Sequence, residues 1–141
     1  MPQLEWNQYE FIECLEAIPV VEEDELSHGF AVIRDGIVLE LTVYHYDSQI
    51  ELSLRRQMSD DPITDFVLVV RGAAKIVRGP NRTECLQFTD CVIVPPGFSY
   101  GAADALRLDV HDPSRVWAVP AVRVFVNPSI RVEFLMGPRP L

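Results

Sequence analysis

The sequence predicts an all-β domain behind one short N-terminal α-helix. After residue 27, apolar and polar residues alternate in short runs, the pattern of half-buried strands. Turn-forming pairs such as Asp35-Gly36 and Asp47-Ser48 separate the runs, and helical spacing occurs only before residue 20. About ten short strands behind a single helix imply a sandwich or a closed barrel.

Length and composition predict one domain over residues 1–141. We assign residues 1–26 to the helix and an acidic loop, and residues 27–141 to the β-barrel. The chain shows no basic–apolar leader and no apolar run near the roughly 20 residues of a membrane helix, so we expect a cytoplasmic protein. A net charge of −9 argues against nucleic acid and anionic membranes, because both are bound by clustered cations.

The negative charge is concentrated at the N-terminus. Residues 1–26 hold eight acids and no Lys or Arg, whereas residues 27–141 hold 13 acids against 12 bases. A solvated helix face followed by an acidic loop explains this pattern. Docking of a basic protein partner is the alternative.

The first element is an amphipathic helix. Asn7 followed by Glu10 is typical of a helix N-cap with a carboxylate in the first turn. Apolar residues then recur at helical spacing at Phe11, Ile12, Leu15 and Ile18, and Pro19 ends the pattern. We expect Glu10, Glu13 and Glu16 to face water, and the aromatic residues of this segment to pack against the barrel or a dimer mate.

The strands follow in order. Asp35-Gly36 predicts a type I′ hairpin turn, and residues 37–43 and 50–55 alternate as in an antiparallel meander. Residues 66–70 are apolar at every position, which indicates a central strand. Further strands are predicted over residues 73–78, 84–88, 91–94, 106–110, 116–119, 122–126 and 130–135.

Two spaced motifs mark the middle of the chain. The first is Asp65-x6-Gly72, and the second is Thr89-x5-Pro95-x-Gly97-x2-Tyr100. Together they resemble the cupin family, over about residues 50–105. The resemblance implies a jelly-roll, or double-stranded β-helix, barrel and a homodimer. At the positions of that family's His, His, carboxylate and His ligands the sequence has Ser59, Asp61, Asp65 and Tyr100, so we predict no metal and no cofactor.

The resemblance also suggests a ligand site in the barrel mouth. We predict that a small polar or anionic molecule binds there, at Asp61, Asp65, Arg71, Tyr100, Arg55 and Gln57. Arg55 and Gln57 reach the interior only if a bulge near Gln57 reverses the strand, because Leu52 and Leu54 occupy the opposite face. For Asp61 and Asp65, a solvated loop that leads into a strand is the favoured explanation.

Three functions stay open at this stage. The first is a metal-free, cupin-like module that binds a small molecule. The second is a metal-independent isomerase, epimerase or lyase with Asp65 and Tyr100 as base and acid. The third is a non-catalytic module that recruits a protein through the acidic N-terminus.

Histidines and cysteines give no recognisable motif. His28, His45 and His111 are scattered, and we interpret them as structural or solvated. Three reduced, buried cysteines are expected at Cys14, Cys85 and Cys91, with a Cys85–Cys91 bridge across a hairpin left open.

Overall fold

A computed structural model describes residues 3–94 and 117–135, and it confirms an all-β fold with one short helix. The helix α1 spans Gln8–Leu15. The strands in these residues are β1 Val20–Val21, β2 His28–Arg34, β3 Ile37–Tyr44, β4 Gln49–Arg56, β5 Pro62–Val70, β6 Ala74–Arg78, β7 Glu84–Val94, β8 Trp117–Phe125 and β9 Arg131–Leu135. The predicted Pro95-Gly97 corner, Tyr100 and the strand over 106–110 lie outside the described residues.

The strands form one antiparallel meander. Their order is β1-β2-β3-β4-β5-β7-β8-β9, and β6 continues the line of β5 along the same side of β7. Apart from β5 and β6, which both pair with β7, consecutive described strands pair with each other, as short hairpin connections favour. A closed barrel was expected, but over residues 3–94 and 117–135 the sheet is not closed, and the cupin jelly roll is not confirmed.

Local signals predicted the first turns well. The Asn7 side chain accepts a hydrogen bond from the Tyr9 amide at 2.9 Å and caps α1. Asp35 and Gly36 both have positive φ, at 53° and 76°, as a type I′ turn requires. The helix ends earlier than predicted, because Glu16 takes a left-handed conformation after Leu15. Ile18 consequently lies beyond the helix and is 79% exposed.

The core lies between the helix and one face of the sheet. Phe11 is fully buried against Phe30 and Phe88, at ring distances of 5.8 and 6.0 Å. The opposite face of the sheet carries a smaller buried cluster of Val69, Val92 and Val94, with Val67 packed against it. Leu68 and Val70 belong to the helix-side core. Both faces of β5 are thus buried over residues 68–70 within one chain, and homodimerisation stays a prediction.

A bulge joins β5 to β6. Val70 opposes Cys91 and Ala74 opposes Phe88, so residues 71–73 face only residues 89–90 of β7. The backbones approach closely there, since the Gly72 amide donates to the Thr89 carbonyl at 2.9 Å. A Cβ on Gly72 would lie 2.6 Å from that oxygen, which explains the glycine of the first motif.

The long strands differ from the prediction. The strand β7 is continuous over Glu84–Val94, where two strands were predicted, although Asp90 has a φ of 52°. Similarly, β8 is continuous over Trp117–Phe125, where separate strands were predicted over residues 116–119 and 122–126. Cys85 and Cys91 share β7 rather than facing each other across a hairpin, and Cys14, Cys85 and Cys91 are all free and buried. Within the described residues, no helix is long and apolar enough to cross a membrane.

Candidate functional site

Two predicted ligand residues lie at the end of β4, Arg55 on the outer face of the sheet and Gln57 just after the strand. Arg55 Nε pairs with Glu40 Oε1 at 3.1 Å, and Gln57 is exposed. The register of β4 against β5 does shift, since Leu54 opposes Thr64 whereas Arg55 opposes Pro62. The additional residue is in β5, however, so the shift does not turn Arg55 toward the core.

The structure separates the other predicted ligand residues. Asp61 and Asp65 are exposed, and the Asp61 amide donates to Ser59 Oγ at 3.3 Å. Arg71 lies beyond the opposite end of β5, about 30 Å from Asp61 along the extended strand. It forms an ion pair with Asp90 at 2.7 Å. Arg55, Gln57 and Asp61 therefore gather at one end of the sheet without Arg71, and ligand binding or acid–base catalysis by these residues stays a prediction.

A hollow of about 360 Å³ lies at the other end of β2 and β3. Its lining consists of Trp6, Asn7, Gln8, Glu25, His28 and His45. Backbone pairing brings these residues together, although they are distant in the sequence. The Leu4 amide donates to the His45 carbonyl at 2.8 Å, and Val21 of β1 opposes His28.

Aromatic contacts connect the side chains that line the hollow to the core. The Trp6 ring lies 5.1 Å from Phe11 and 5.0 Å from His28, and it stacks on His45 at 6.0 Å. His45 Nε2 lies 3.0 Å from the Glu25 carbonyl oxygen. Because a carbonyl only accepts, that nitrogen is the donor. The contact holds Glu25 at the rim of the hollow.

His28 is the buried member of this group. It is 6% exposed, and its Nδ1 atom has no hydrogen-bond partner among the described residues. Burial lowers the pKa of His28, nearby His45 lowers it further, and Glu25 raises it. The neutral form of the imidazole is therefore favoured. No group of three or more His, Cys, Asp or Glu residues in the described part of the chain is arranged to hold a metal ion.

Three of the N-terminal acids bind within the chain. Glu10 accepts a hydrogen bond from the Ile76 amide at 2.8 Å, Glu13 pairs with Arg78 at 2.9 Å, and Glu16 lies 3.8 Å from Arg34. Glu13 and Glu16 are exposed, as expected, whereas Glu10 is partly buried because its carboxylate reaches the backbone of β6. They fasten α1 to the sheet.

The remaining acids of the loop are available to a partner. Glu22, Glu23, Asp24 and Glu25 are exposed, and none forms an ion pair with another described residue. Exposed apolar side chains flank them at Ile18, Val20, Val21 and Leu26. We call residues 18–26 the acidic edge. Sequence reasoning recognised its charge but missed its apolar part, because Ile18 was assigned to the helix.

The described fold is an open antiparallel meander with a helix on one face and an acidic edge along β1. No protein-family model matches the sequence, and no curated protein matches it. A solved structure described as a contact-dependent growth inhibition toxin–immunity protein complex from Klebsiella pneumoniae 342 contains a chain of similar fold. The TM-score is 0.59 at 10% identity, and the match covers 94% of this chain and 95% of that chain. At this identity the likeness concerns the fold.

Proposed function

We propose that this chain is a protein-binding module that docks a basic protein partner on its acidic edge and neutralises it. The acidic edge carries this proposal. Four carboxylates that have no ion-pair partner among the described residues lie among exposed apolar side chains beside a two-residue edge strand. An apolar patch rimmed by charges is typical of protein interaction sites.

The overall charge favours the same partner chemistry. A net charge of −9 attracts a basic protein from a distance and accelerates its association. Because Glu10, Glu13 and Glu16 are engaged within the chain, Glu5 and the acidic edge are the N-terminal charges left for a partner.

The comparison supports neutralisation as the consequence of docking. The similar fold comes from a structure whose title describes a toxin in complex with an immunity protein. A chain docked through the acidic edge would neutralise a basic toxin if it covered the toxin's working surface. Small-molecule binding has no comparable support from the contacts of Arg55, Asp61 and Arg71.

The test is charge reversal at the acidic edge. Proteins of the source genome are screened for binding, and each binder is measured by calorimetry against the native chain and the variant E22K/E23K/D24K. Each exposed ion pair contributes up to about 1 kcal/mol, so loss of three should weaken binding about 100-fold. The binder's own toxicity to growing cells should be suppressed by the native chain and not by the variant.

A matched control variant distinguishes the effect of where the charges are reversed from the effect of the changed net charge. The variant D60K/D61K/D65K changes the charge equally, at exposed positions toward the other end of the sheet. We expect it to retain binding within about threefold, since long-range steering is screened by salt. Docking at this edge would be refuted if both variants weakened partner binding equally. It would also be refuted if charge reversal at the acidic edge left the affinity unchanged.

A further inference from the structure

We propose that His28 is an acid-sensitive latch, so that gain of a second proton by its imidazole frees the acidic edge from β2. The latch is a property of the free chain, and only its effect on a bound partner rests on the proposed function. His28 is the first residue of β2, and it opposes Val21 of β1 on one side and Val43 of β3 on the other. Its protonation state therefore bears directly on the attachment of β1.

The surroundings of His28 have no acceptor for a second N–H group. The residue is 6% exposed, and Nδ1 is buried without a hydrogen-bond partner among the described residues. A neutral imidazole can leave Nδ1 unprotonated, whereas the imidazolium carries hydrogen on both ring nitrogens. The charged form must therefore bury an N–H group that has no acceptor, which costs more than an unpaired neutral nitrogen.

The charged groups that face His28 do not remove this cost. Burial lowers the pKa of His28, His45 at a ring distance of 5.7 Å lowers it further, and Glu25 of the acidic edge raises it by less. The opposing residues Val21 and Val43 carry no charge. Because the folded chain binds this proton more weakly than the unfolded chain, acid favours conformations in which the ring reaches water.

The Trp6 ring is the first group that has to move. It contacts His28 at a ring distance of 5.0 Å and stacks on His45 at 6.0 Å. His45 in turn holds the acidic edge, because its Nε2 atom lies 3.0 Å from the Glu25 carbonyl oxygen. Displacement of Trp6 therefore also loosens the contact between His45 and Glu25.

The strand β1 is the weakest attachment beside His28. In the described residues it pairs with β2 over Val20 and Val21, and the Glu22 amide extends the pairing by donating to the Ser27 carbonyl at 3.1 Å. On its other side β2 pairs with β3 over seven residues. Separation of β1 consequently exposes the charged ring at a smaller loss of pairing than separation of β3.

His45 lacks the restriction that applies to His28. It is partly exposed, and its bond to the Glu25 carbonyl uses Nε2 as the donor. That N–H group is present in the charged ring as well as in the neutral ring that makes this bond. His45 can therefore take up a proton without breaking the contact, which makes it the control for the latch.

The latch determines the sign of the pH dependence. Because folding lowers the pKa of His28, its contribution to stability is complete above the ordinary histidine pKa of about 6.5 and is lost as the pH falls through the pKa of the folded chain. The variant H28F keeps a ring beside Trp6 but binds no proton. Between pH 7.5 and pH 5, the unfolding equilibrium constant of the native chain should rise at least about threefold more than that of H28F.

NMR of the full-length, isotope-labelled chain tests the latch directly. The His28 ring should titrate at lower pH in the folded chain than in the urea-unfolded chain. In the same pH range, the signals of the Trp6 indole and of the Val20 and Val21 methyl groups should move toward their unfolded positions. This movement should be absent from H28F and retained in H45Q, which keeps His28.

The latch is refuted if the His28 ring titrates in the folded chain at or above its unfolded pH. It is also refuted if the Trp6 transition persists in H28F, or if it disappears in H45Q alone. Should H28F fail to fold, the titration of the native ring still decides, because it needs no variant.

Calorimetry with the binder identified above, at pH 7.5 and pH 5.5, separates the latch from the proposed function. Loss of affinity in acid by the native chain, with affinity retained by H28F, supports both. If the latch transition is complete in the free chain while the partner affinity stays unchanged, the latch stands and docking at the acidic edge is refuted. If the NMR transition is absent and E22K/E23K/D24K still abolishes partner binding, the latch is refuted and the proposed function stands.

Discussion

Gly72→Ala is expected to lower the free energy of unfolding by more than about 3 kcal/mol, the upper end of overpacking effects. An added Cβ would lie 2.2 Å from Thr89 Oγ1 and 2.6 Å from the Thr89 carbonyl oxygen. Neither distance is tolerated, and the backbone oxygen cannot rotate away. The bulge that joins β5 and β6 to β7 would have to open. Urea denaturation followed by circular dichroism measures the loss.

Two variants test whether contact of the added Cβ with the Thr89 carbonyl causes this loss of stability. At Gly29 an added Cβ would meet its nearest atoms at 3.8 Å, so Gly29→Ala should change stability by less than about 1 kcal/mol. Adding Thr89→Ala to Gly72→Ala removes the hydroxyl contact but leaves the carbonyl contact. The double variant should therefore not regain native stability. Full rescue would show that side-chain crowding alone makes glycine necessary there.

Phe11→Ala is expected to lower the free energy of unfolding by about 3–5 kcal/mol, as for other fully buried phenylalanines. Phe11 is 0% exposed and contacts the rings of Trp6, Phe30 and Phe88. Its removal leaves a cavity between α1 and the sheet and also releases Trp6 from one side. Denaturation curves measure the stability, and the indole NMR signal of Trp6 reports the change at the hollow.

Tyr9→Ala is the matched control on the same helix. Tyr9 is 71% exposed, and the cap hydrogen bond uses its backbone amide, which alanine retains. Its effect should stay within about 0.5 kcal/mol. Equal losses for Phe11→Ala and Tyr9→Ala would mean that helix formation, rather than docking of the helix on the sheet, limits stability.

The sequence predicted those elements whose signals are local. The Asn7 cap and the Asp35-Gly36 turn depend on neighbouring residues, and both are confirmed. Strand alternation placed Leu52 inside, in agreement with its burial. These features follow from backbone conformation and period alone.

Closure of the sheet was not predictable in the same way. The motif around Asp65 and Gly72 suggested a closed roll, but Gly72 has another physical reason in the close approach of Thr89. The strand β7 was divided in the prediction because Thr89 and Asp90 interrupt its apolar run. In the structure Asp90 adopts a positive φ at the bulge, and pairing continues on both sides.

The candidate site was missed because its residues are far apart in sequence. Trp6, Glu25, His28 and His45 meet only through the pairing of β1 with β2 and the contact of Leu4 with His45. No spacing rule connects them. The acidic composition of residues 1–26 was visible, but which carboxylates are engaged within the chain depends on how α1 lies against β6.

Hydrogen exchange of the chain with its bound partner tests the central claim, docking on the acidic edge, most directly. Docking at the acidic edge predicts slower amide exchange over residues 18–28 and 45–48 when the partner is bound, and unchanged exchange over residues 56–63. Protection confined to residues 56–63 or to β9, with residues 18–28 exchanging as in the free chain, would contradict it.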